Sequence, residues 1–485
     1  MTRRPDPNLQ VVRYVVLWLA AAAAGTAAYA YSELVLWPIV APLAACAAIT
    51  LLFIAYLRQI DGAVPYFEVG AFCAAITFLY CAYPLFTYLV NRNEQSEVGD
   101  PRLFAMRDRP EELGALAWWL VLYLVFFCLA YMIARGRTVT RLPLIVTRPD
   151  GTSIIAIALL LTGTRLFFAV LGWFYNLKAS SYFDQYIILQ QLPLLLRQIA
   201  AHVQGIDLTL QMMLVIALCC APRPRYKYLL AAVLAATIAA HLIWPGARVE
   251  LFAVLLATVA AFDMAVKRIA FRWIVLGAAA GFVALSAMSM LRTQESVSAQ
   301  TLADLTRTPT EFDVIFGNAV DLKYLKNASG RFLTRPGLRW SGLVAVIPQQ
   351  LLPFEKDTAA AWYVREYYRD YWDKGGGLAF GVLSEAVMGH GAVEMIWRGL
   401  LVGAILGLLH RHLVKRKVSF AFLVFYIWMT VWSYQTVRNG TFGLLILIFY
   451  HFIAPLVAII LLSSVLRRGR RVARRLVHVS GPVAA

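Results

Sequence analysis

The chain has 485 residues, of which 61% are hydrophobic and 15% charged. This apolar content lies far above the roughly 45–50% of a water-soluble domain and excludes that class of protein. The formal net charge of +18 would indicate nucleic-acid binding in a soluble chain. Here most Lys and Arg residues stand in short segments between apolar runs, which is typical of cytoplasmic loops in membrane proteins.

Apolar runs of about twenty residues recur along the whole chain, each long enough to cross a bilayer core of about 30 Å as a helix. We therefore predict an all-α polytopic membrane protein with about twelve transmembrane helices. The predicted spans are, in chain order, 14–31, 34–56, 68–90, 113–133, 152–174, 206–221, 227–244, 249–266, 272–290, 378–409, 418–436 and 441–466.

The distribution of cationic residues predicts the orientation of these spans. Lys and Arg precede the first span, follow every second span and end the chain in the sequence RRGRRVARR. Both termini are therefore predicted to be cytoplasmic. The resulting organisation is nine spans with short loops over 1–290, a large periplasmic loop over 291–377, three spans over 378–466 and a basic cytoplasmic tail over 467–485.

The large loop contains one apolar run, from Leu343 to Leu352, which is interrupted by Pro348 and followed by Pro353. The run is too short to span a bilayer, so we expect it to lie on the membrane surface. The segment AWYVREYYRDYWDKGGG (361–377) alternates aromatic and charged residues. Such a segment suits either a sugar-binding face or an interfacial aromatic belt.

Neither a metal nor a cofactor is predicted. All six cysteines fall within apolar runs, and none has the spacing of a zinc site. The chain contains no P-loop, no HExxH and no GxSxG motif, which argues against an ATPase, a zinc protease and a serine hydrolase.

Charged residues within the predicted spans mark polar interiors or functional paths, because a charge at bilayer depth is costly. Glu394 and Arg398 are four residues apart in one span and so share a helical face, which favours an ion pair. Arg165 lies midway in another span, and the sequence shows no partner for it. A structural hydrogen-bonding role and an anion-binding role are both open for Arg165.

A group of arginines lies at the predicted outer edge of the membrane. Arg248 stands in the turn WPGAR and Arg438 in the turn TVRNG, each joining two spans, and three more stand in RFLTRPGLRW, namely Arg331, Arg335 and Arg339. The planar guanidinium matches phosphate oxygens, so this group predicts an anion-binding site. Anchoring to lipid headgroups is the alternative.

The stretch GLAFGVLSEAVMGHGAVEM (377–395) carries Gly377, Gly381, Glu385 and Gly389 at intervals of four residues. One helical face is therefore almost free of side chains except Glu385. Close helix packing is one interpretation of this face. The other is that Glu385, or the nearby His390, serves as a general base for a bound substrate.

Taken together, these segments resemble the O-antigen and oligosaccharide repeat-unit polymerases of bacterial envelopes, the Wzy type. The resemblance rests on the WPGARVELFAVLL turn, the large late external loop ending in glycine, GVLSEAVMGHGAVEMIWRGLLVG and the VRNG turn before the last span. It also includes an Arg at position 331 followed after ten residues by Gly342.

The resemblance implies a metal-independent membrane glycosyltransferase with a glycosyltransferase-C-like fold in the bacterial inner membrane. It would move a growing glycan from undecaprenyl pyrophosphate onto a new lipid-linked repeat unit at the periplasmic face. Arg248 and Arg438 would bind the pyrophosphate, and Glu385 or His390 would be the base. Membrane lipids and a chain-length regulator protein would be partners, and nucleic acid would not.

Two other functions remain open from the sequence. An O-antigen ligase would use the same donor but deliver the glycan to lipid A core. A transporter of lipid-linked oligosaccharide or polysaccharide would also have about twelve spans with intramembrane charges. The sequence shows no internal repeat, and its single large external loop is unlike a transporter.

Overall fold

The structure is a computed structural model. It describes residues 37–62, 66–91, 106, 108–137, 139–140, 142–175, 192–221, 223–243, 248–277, 280–281, 311–329, 336–348, 351–354, 356–373, 378–414 and 418–479. The predicted span 14–31 lies outside these residues, as does part of the predicted span 272–290.

Long helices dominate the described part of the chain. The first half contains α1 (Trp37–Asp61), α2 (Val69–Asn91), α3 (Pro110–Arg135), α4 (Gly151–Phe174), α5 (Leu194–Cys220), α6 (Pro224–Ile243) and α7 (Arg248–Ala265). The described ranges contain no β-strand, only an isolated bridge between Val146 and Val418.

The second half alternates long and short helices. In chain order they are α8 (Glu311–Ser329), a 3-10 helix (Pro336–Trp340), α9 (Ser341–Val344), α10 (Ala359–Tyr367), α11 (Arg369–Asp373), α12 (Val382–Met388), α13 (Ala392–Val414), α14 (Phe420–Trp432), α15 (Gln435–Arg438), α16 (Gly443–Ile446), a π-helix (Leu447–Ile453) and α17 (Ala454–Val479).

Seven helical segments of the described chain are long and apolar enough to cross a membrane. They are α1 to α5, α13 and the continuous segment Gly443–Gly469. The protein therefore has the helices of an all-α, multi-pass membrane protein. Two further helices, α6 and α7, coincide with the predicted spans 227–244 and 249–266.

The centre of the bundle is the contact between α3 and α13. Gly399, Gly403 and Gly407 lie one turn apart on α13, and a Cβ atom at any of them would meet the backbone of α3. At Gly407 that Cβ would be 2.7 Å from the carbonyl oxygen of Tyr131. Glycine at this spacing lets two helical backbones approach closely.

The predicted span 378–409 is divided in the structure. Helix α12 ends at Gly389, and α13 begins at Ala392 after a turn in which Gly391 has φ = +61°. This left-handed backbone conformation interrupts the helix and favours glycine. Of the two helices only α13 is long and apolar enough to cross a membrane, so α12 and Glu385 precede the candidate span in the chain.

The described part of the large loop packs against the helices that precede α13. In α8, Asn318 donates to the carbonyl of Ala379 (2.8 Å) and Lys326 donates to that of Val387 (2.8 Å). Asp321 of α8 accepts from the phenols of Tyr363 (2.6 Å) and Tyr368 (2.7 Å). These tyrosines therefore fix the segment 361–377 to α8 within the large loop.

The apolar run that begins at Leu343 is partly exposed. Leu343 and Ile347 are each 41% exposed, and Leu351 is 73% exposed. The Tyr450 phenol donates to the carbonyl of Val346 at 2.8 Å and ties this segment to the π-helix. Exposed apolar side chains beside a membrane helix suit the surface location predicted from the sequence.

Candidate functional site

Glu385 lies where α12 meets the turn that follows α15. Gly381, at the start of α12, has no room for a side chain, because a Cβ there would lie 2.8 Å from the carbonyl oxygen of Val437. Gly440 has φ = +83°, and a Cβ there would collide with the Glu385 carboxylate. Two glycines thus allow the backbone of the VRNG turn to reach a carboxyl group that is only 6% exposed.

Arg398 is the fully buried cation that faces this carboxylate. Its Nη1 donates to Glu385 Oε2 and, at 2.8 Å, to the hydroxyl of Thr441. Its Nε donates to Glu394 Oε2 at 2.9 Å, which confirms the ion pair predicted between residues four apart. The Thr441 backbone N–H also donates to Glu385 Oε2, at 3.0 Å.

Three aromatic rings surround the Arg398 guanidinium. Its central carbon lies 4.6 Å from the ring centroid of Trp397, 5.7 Å from that of Trp340 and 5.9 Å from that of Phe442. Trp340 and Trp397 are stacked, with centroids 5.2 Å apart. The rings stabilise the cation and exclude water from its ion pairs.

Arg339 brings a second cation to the same place. Its Nε lies 3.4 Å from Glu394 Oε1, and Trp397 Nε1 donates to Glu394 Oε2 at 2.9 Å. We call Arg339, Glu385, Glu394, Arg398 and Thr441 the Arg398 cluster. Its formal charge is zero with both glutamates ionised and +1 when Glu385 is protonated.

Glu385 titrates in an unusual range. Burial raises the pKa of its carboxyl group to about 7, with the charge of Arg398 and the Thr441 N–H opposing the rise and Glu394 adding to it. Desolvation disfavours the charged carboxylate, which is the cause of the upward direction. The carboxyl group therefore changes its protonation state near neutral pH.

Arg398 has one hydrogen-bond donor that is unused among the described residues. Nη2 of Arg398 is buried and has no hydrogen-bond partner among the described residues, and the same holds for the Ser384 hydroxyl beside Glu385. Buried polar groups are normally paired. The cluster therefore offers hydrogen-bonding capacity to water or to a bound anion.

The predicted arginine group is brought together only in part. Arg339 is in the Arg398 cluster, and Arg438 is the last residue of α15, three residues before Thr441 and half-buried. Arg248 is the first residue of α7, and its side chain lies outside the described residues. Arg331 and Arg335 also lie outside the described residues.

The two candidate bases have different surroundings. His390 is exposed, in the turn between α12 and α13, whereas Glu385 is buried five residues earlier. Glu385 accepts hydrogen bonds from the Arg398 guanidinium and from the Thr441 backbone N–H. The sequence predicted His390 to lie near the glycine-rich face that carries Glu385, but the helix break at Gly389 separates their environments.

Arg165 has a structural partner that the sequence did not reveal. Its guanidinium lies 2.8 Å from Asp207 Oδ2, which links α4 to α5. Asp207 also accepts from Thr164 (2.6 Å) and Gln211 (2.7 Å). Because the two ionic partners are far apart in sequence, only the fold brings them together, and the contact favours the structural role.

Sequence reasoning missed a second buried polar cluster, at the opposite end of α13. Arg135 donates to Glu68 (2.7 Å) and Asp61 (2.6 Å), and His410 is 3.0 Å from the Thr140 hydroxyl and 2.7 Å from the Tyr426 hydroxyl. We call Asp61, Glu68, Arg135, Thr140, His410 and Tyr426 the Arg135 cluster. Arg135 follows an apolar run in the sequence, as the cationic loop residues do, yet it is fully buried.

Within the described chain, no group of three or more His, Cys, Asp or Glu residues could hold a metal ion. The positive charges of the candidate site come instead from guanidinium groups. No family model matches the chain, and neither a curated protein nor a solved structure is significantly similar to it.

Proposed function

We propose that this protein is a membrane glycosyltransferase that polymerises lipid-linked oligosaccharide repeat units at the periplasmic face of the bacterial inner membrane. The observation that supports this proposal most directly is the Arg398 cluster with the adjoining Arg438 turn. There a buried carboxyl group that titrates near pH 7 lies among several guanidinium groups.

The chemistry of the proposed reaction needs these two kinds of group. A hydroxyl oxygen of the acceptor repeat unit attacks the anomeric carbon of the donor glycan. The bond from that carbon to the pyrophosphate oxygen breaks, and its electron pair leaves with undecaprenyl pyrophosphate. The hydroxyl proton passes to Glu385, which acts as general base.

Charge changes at the site would assist both the attack of the acceptor hydroxyl and the departure of undecaprenyl pyrophosphate. Uptake of a proton by Glu385 raises the charge of the Arg398 cluster by one while the pyrophosphate anion departs. Arg438 and Arg339 would stabilise the leaving group through bidentate hydrogen bonds. The guanidinium groups supply this charge themselves, which is the basis for proposing a metal-independent transferase.

The proposal is tested with purified protein in sugar-free lipid nanodiscs. Given only its undecaprenyl-pyrophosphate-linked repeat unit, with EDTA and without ATP, the protein should yield a ladder of longer lipid-linked glycans. A product formed only after addition of lipid A core would identify a ligase instead. Unchanged substrate that crosses the bilayer in proteoliposomes would identify a transporter.

A further inference from the structure

A cavity of about 260 Å³ lies between α5, α7, α14 and the π-helix. It is at the Trp432 end of α14, from which the chain continues directly into α15 and the Arg438 turn. The side chains that give the cavity its chemistry come from all four elements: Gln204, Thr209, Glu250, Trp428, Trp432 and His451.

Two tryptophans form a fixed aromatic wall. Trp428 is 1% exposed, and its Nε1 donates to the Thr209 hydroxyl at 3.2 Å. The ring centroids of Trp428 and Trp432 are 6.1 Å apart, and Trp432 is stacked on Tyr434. Rigid indole rings of this kind offer a large amphipathic contact surface with little loss of side-chain entropy.

Polar groups stand on the same walls. Gln204 Nε2 lies 3.3 Å from Glu250 Oε1. Trp432 is 9% exposed, and its Nε1 is buried without a hydrogen-bond partner among the described residues. An unpaired buried donor is unfavourable, so a group that accepts a hydrogen bond from Trp432 would stabilise the occupied cavity.

The remaining wall is built by an irregular helix. The π-helix places the His451 ring against α5 at Gly205, where a Cβ would collide with the imidazole. π-Helical turns are rare and occur frequently at functional sites. The close approach at Gly205 and the π-helical turn together set the shape of this wall.

We propose that this cavity binds a single sugar ring of a saccharide. The ring would pack its C–H face on the tryptophans, and its hydroxyl groups would bond to Gln204, Glu250 and Trp432 Nε1. A phosphate group would be repelled by Glu250, and an isoprenoid chain would leave the buried Nε1 donor of Trp432 without an acceptor. The volume is below the roughly 300–1,000 Å³ of pockets for drug-sized ligands, which limits the ligand to about one ring.

The inference rests on the proposed function only for the identity of the saccharide, which would be the acceptor repeat unit. In that case the cavity holds the acceptor while the Arg398 cluster and Arg438 hold the donor pyrophosphate. The segment from Trp432 to Leu447 carries the turn and contributes to the cavity at both its ends.

Photo-crosslinking tests the inference with the full chain in sugar-free nanodiscs. The probes are diazirine-bearing methyl glycosides of hexoses, N-acetylhexosamines and 6-deoxyhexoses, and separately a polyprenyl phosphate with the diazirine in its tail. The glycosides should label peptides that contain residues 201–209, 428–432 or 447–451. Labelling of these peptides by the tail probe alone, or by neither probe, would overturn the sugar site.

Two substitutions and a matched control refine the test. Gln204→Leu and Glu250→Gln should each reduce glycoside labelling about tenfold. Gln204→Leu removes hydrogen bonds to the ring, and Glu250→Gln replaces a charged acceptor with a neutral one that forms weaker hydrogen bonds. Ile199→Ala is the control, since Ile199 is exposed on α5 and is turned about 140° away from Gln204. Unchanged labelling in both Gln204→Leu and Glu250→Gln would contradict the proposed contacts.

Labelling does not require turnover, so this test is separate from the polymerisation assay. A protein that is labelled by glycosides but makes no glycan ladder would keep the sugar site and remove the polymerase. A protein that makes the ladder but is not labelled would remove the sugar site alone.

Discussion

Arg398 is the residue on which the candidate site depends most. It is fully buried, it bonds to Glu385, Glu394 and Thr441, and it joins α12, α13 and the turn after α15. Removal of one partner from a buried ion pair typically costs about 3–5 kcal/mol, because the remaining charge is left uncompensated. Substitution of Arg398 would therefore damage the fold and the chemistry together, and it is a poor test of function.

Arg438 allows a cleaner test. It is half-buried at the end of α15, so Arg438→Ala should leave the amount of folded protein in the membrane nearly unchanged. The rate of glycan polymerisation should fall by about 10²–10³, the usual effect of removing one donor to a developing anion. Arg438→Lys should restore little activity, because an ammonium group lacks the bidentate fork. Chain-length analysis of the product glycans measures the effect.

Arg369→Ala is the matched control for Arg438→Ala. Arg369 is 75% exposed on α11, where its partner is Asp373 at 3.7 Å, and a surface pair of this kind contributes little to stability. Polymerisation should be unchanged in this variant. Long glycans from the Arg438→Ala protein would refute the anion-binding role of Arg438.

Glu385 predicts a specific pH dependence. The pKa of Glu385 is about 7, and a general base acts only when it is deprotonated. The single-turnover rate should therefore rise about tenfold per pH unit below pH 7 and level off above it. Glu385→Gln should slow the reaction strongly and remove this pH dependence while substrate still binds. Single-turnover rates of both proteins measured between pH 5 and pH 9 test whether Glu385 is the general base.

The Glu385 carboxyl group also makes the stability of the folded protein depend on pH, in the direction opposite to its effect on the rate. Because its pKa in the folded protein is above the ordinary value of 4.5, the folded state binds more protons than the unfolded state between these values. Stability is therefore lost as the pH rises from about 4.5 to about 7. Glu385→Gln should not share this loss.

A Glu385→Gln enzyme with the wild-type rate would move the role of base to His390.

The sequence predicted several residues of the candidate site but not their arrangement. Glu385, Arg339, Arg438 and the Glu394–Arg398 pair stood out because charges and glycines are rare in apolar runs. Thr441 and the aromatic enclosure of Arg398 did not, since a threonine and tryptophans near a membrane edge carry no signal by themselves. Their roles arise from contacts between segments that are distant in the chain.

At the scale of helices, glycine decides which backbones come close. The three glycines of α13 allow its contact with α3, and the glycine turn at 389–391 directs α12 toward the Arg398 cluster. The spacing of Gly377, Gly381 and Gly389 predicted a bare helical face around Glu385, whereas the equivalent series on α13 was not predicted to pack closely. Spacing alone does not distinguish a face that packs on a helix from one that lies beside a turn.

Gly403→Ala tests this close packing. The added Cβ would meet the carbonyl group of Phe127, which belongs to the helical backbone of α3 and not to a flexible side chain. Overpacking of this kind costs about 1–3 kcal/mol, so the temperature of thermal unfolding in nanodiscs should fall by several degrees. Gly163→Ala is the matched control, because Gly163 of α4 has no atom within 4 Å of the added Cβ.

The control has its own expected sign. In a helix, Ala is favoured over Gly by about 0.5–1 kcal/mol, so Gly163→Ala should be neutral or slightly stabilising. Equal unfolding temperatures for Gly403→Ala and the unsubstituted protein would show that α3 and α13 do not approach as closely as described.

At the scale of the whole molecule, the contacts divide the bundle into two ends. The Arg135 cluster joins the final residues of α1 and α3 to the last turns of α13. At the same end, Met264 accepts from the backbone N–H of Leu144 (2.7 Å), and Arg467 pairs with Asp150 (2.7 Å). The Arg398 cluster lies at the other end of α13. These contacts agree with the alternation of cationic loops, although the sequence argument used charge alone.

The two ends predict opposite accessibility from outside the cell. Asp373, 61% exposed at the end of α11, belongs to the large loop that packs near the Arg398 cluster. Arg468 is exposed on α17, one residue after the partner of Asp150. Positively charged loops are retained in the cytoplasm. Asp373→Cys should therefore react with a membrane-impermeant maleimide in intact spheroplasts, and Arg468→Cys should react only after permeabilisation.

The native cysteines are buried or half-buried, so the unsubstituted protein supplies the background. Labelling of Arg468→Cys from outside would reverse the orientation and place the Arg398 cluster on the cytoplasmic side, where a periplasmic polymerase could not use it.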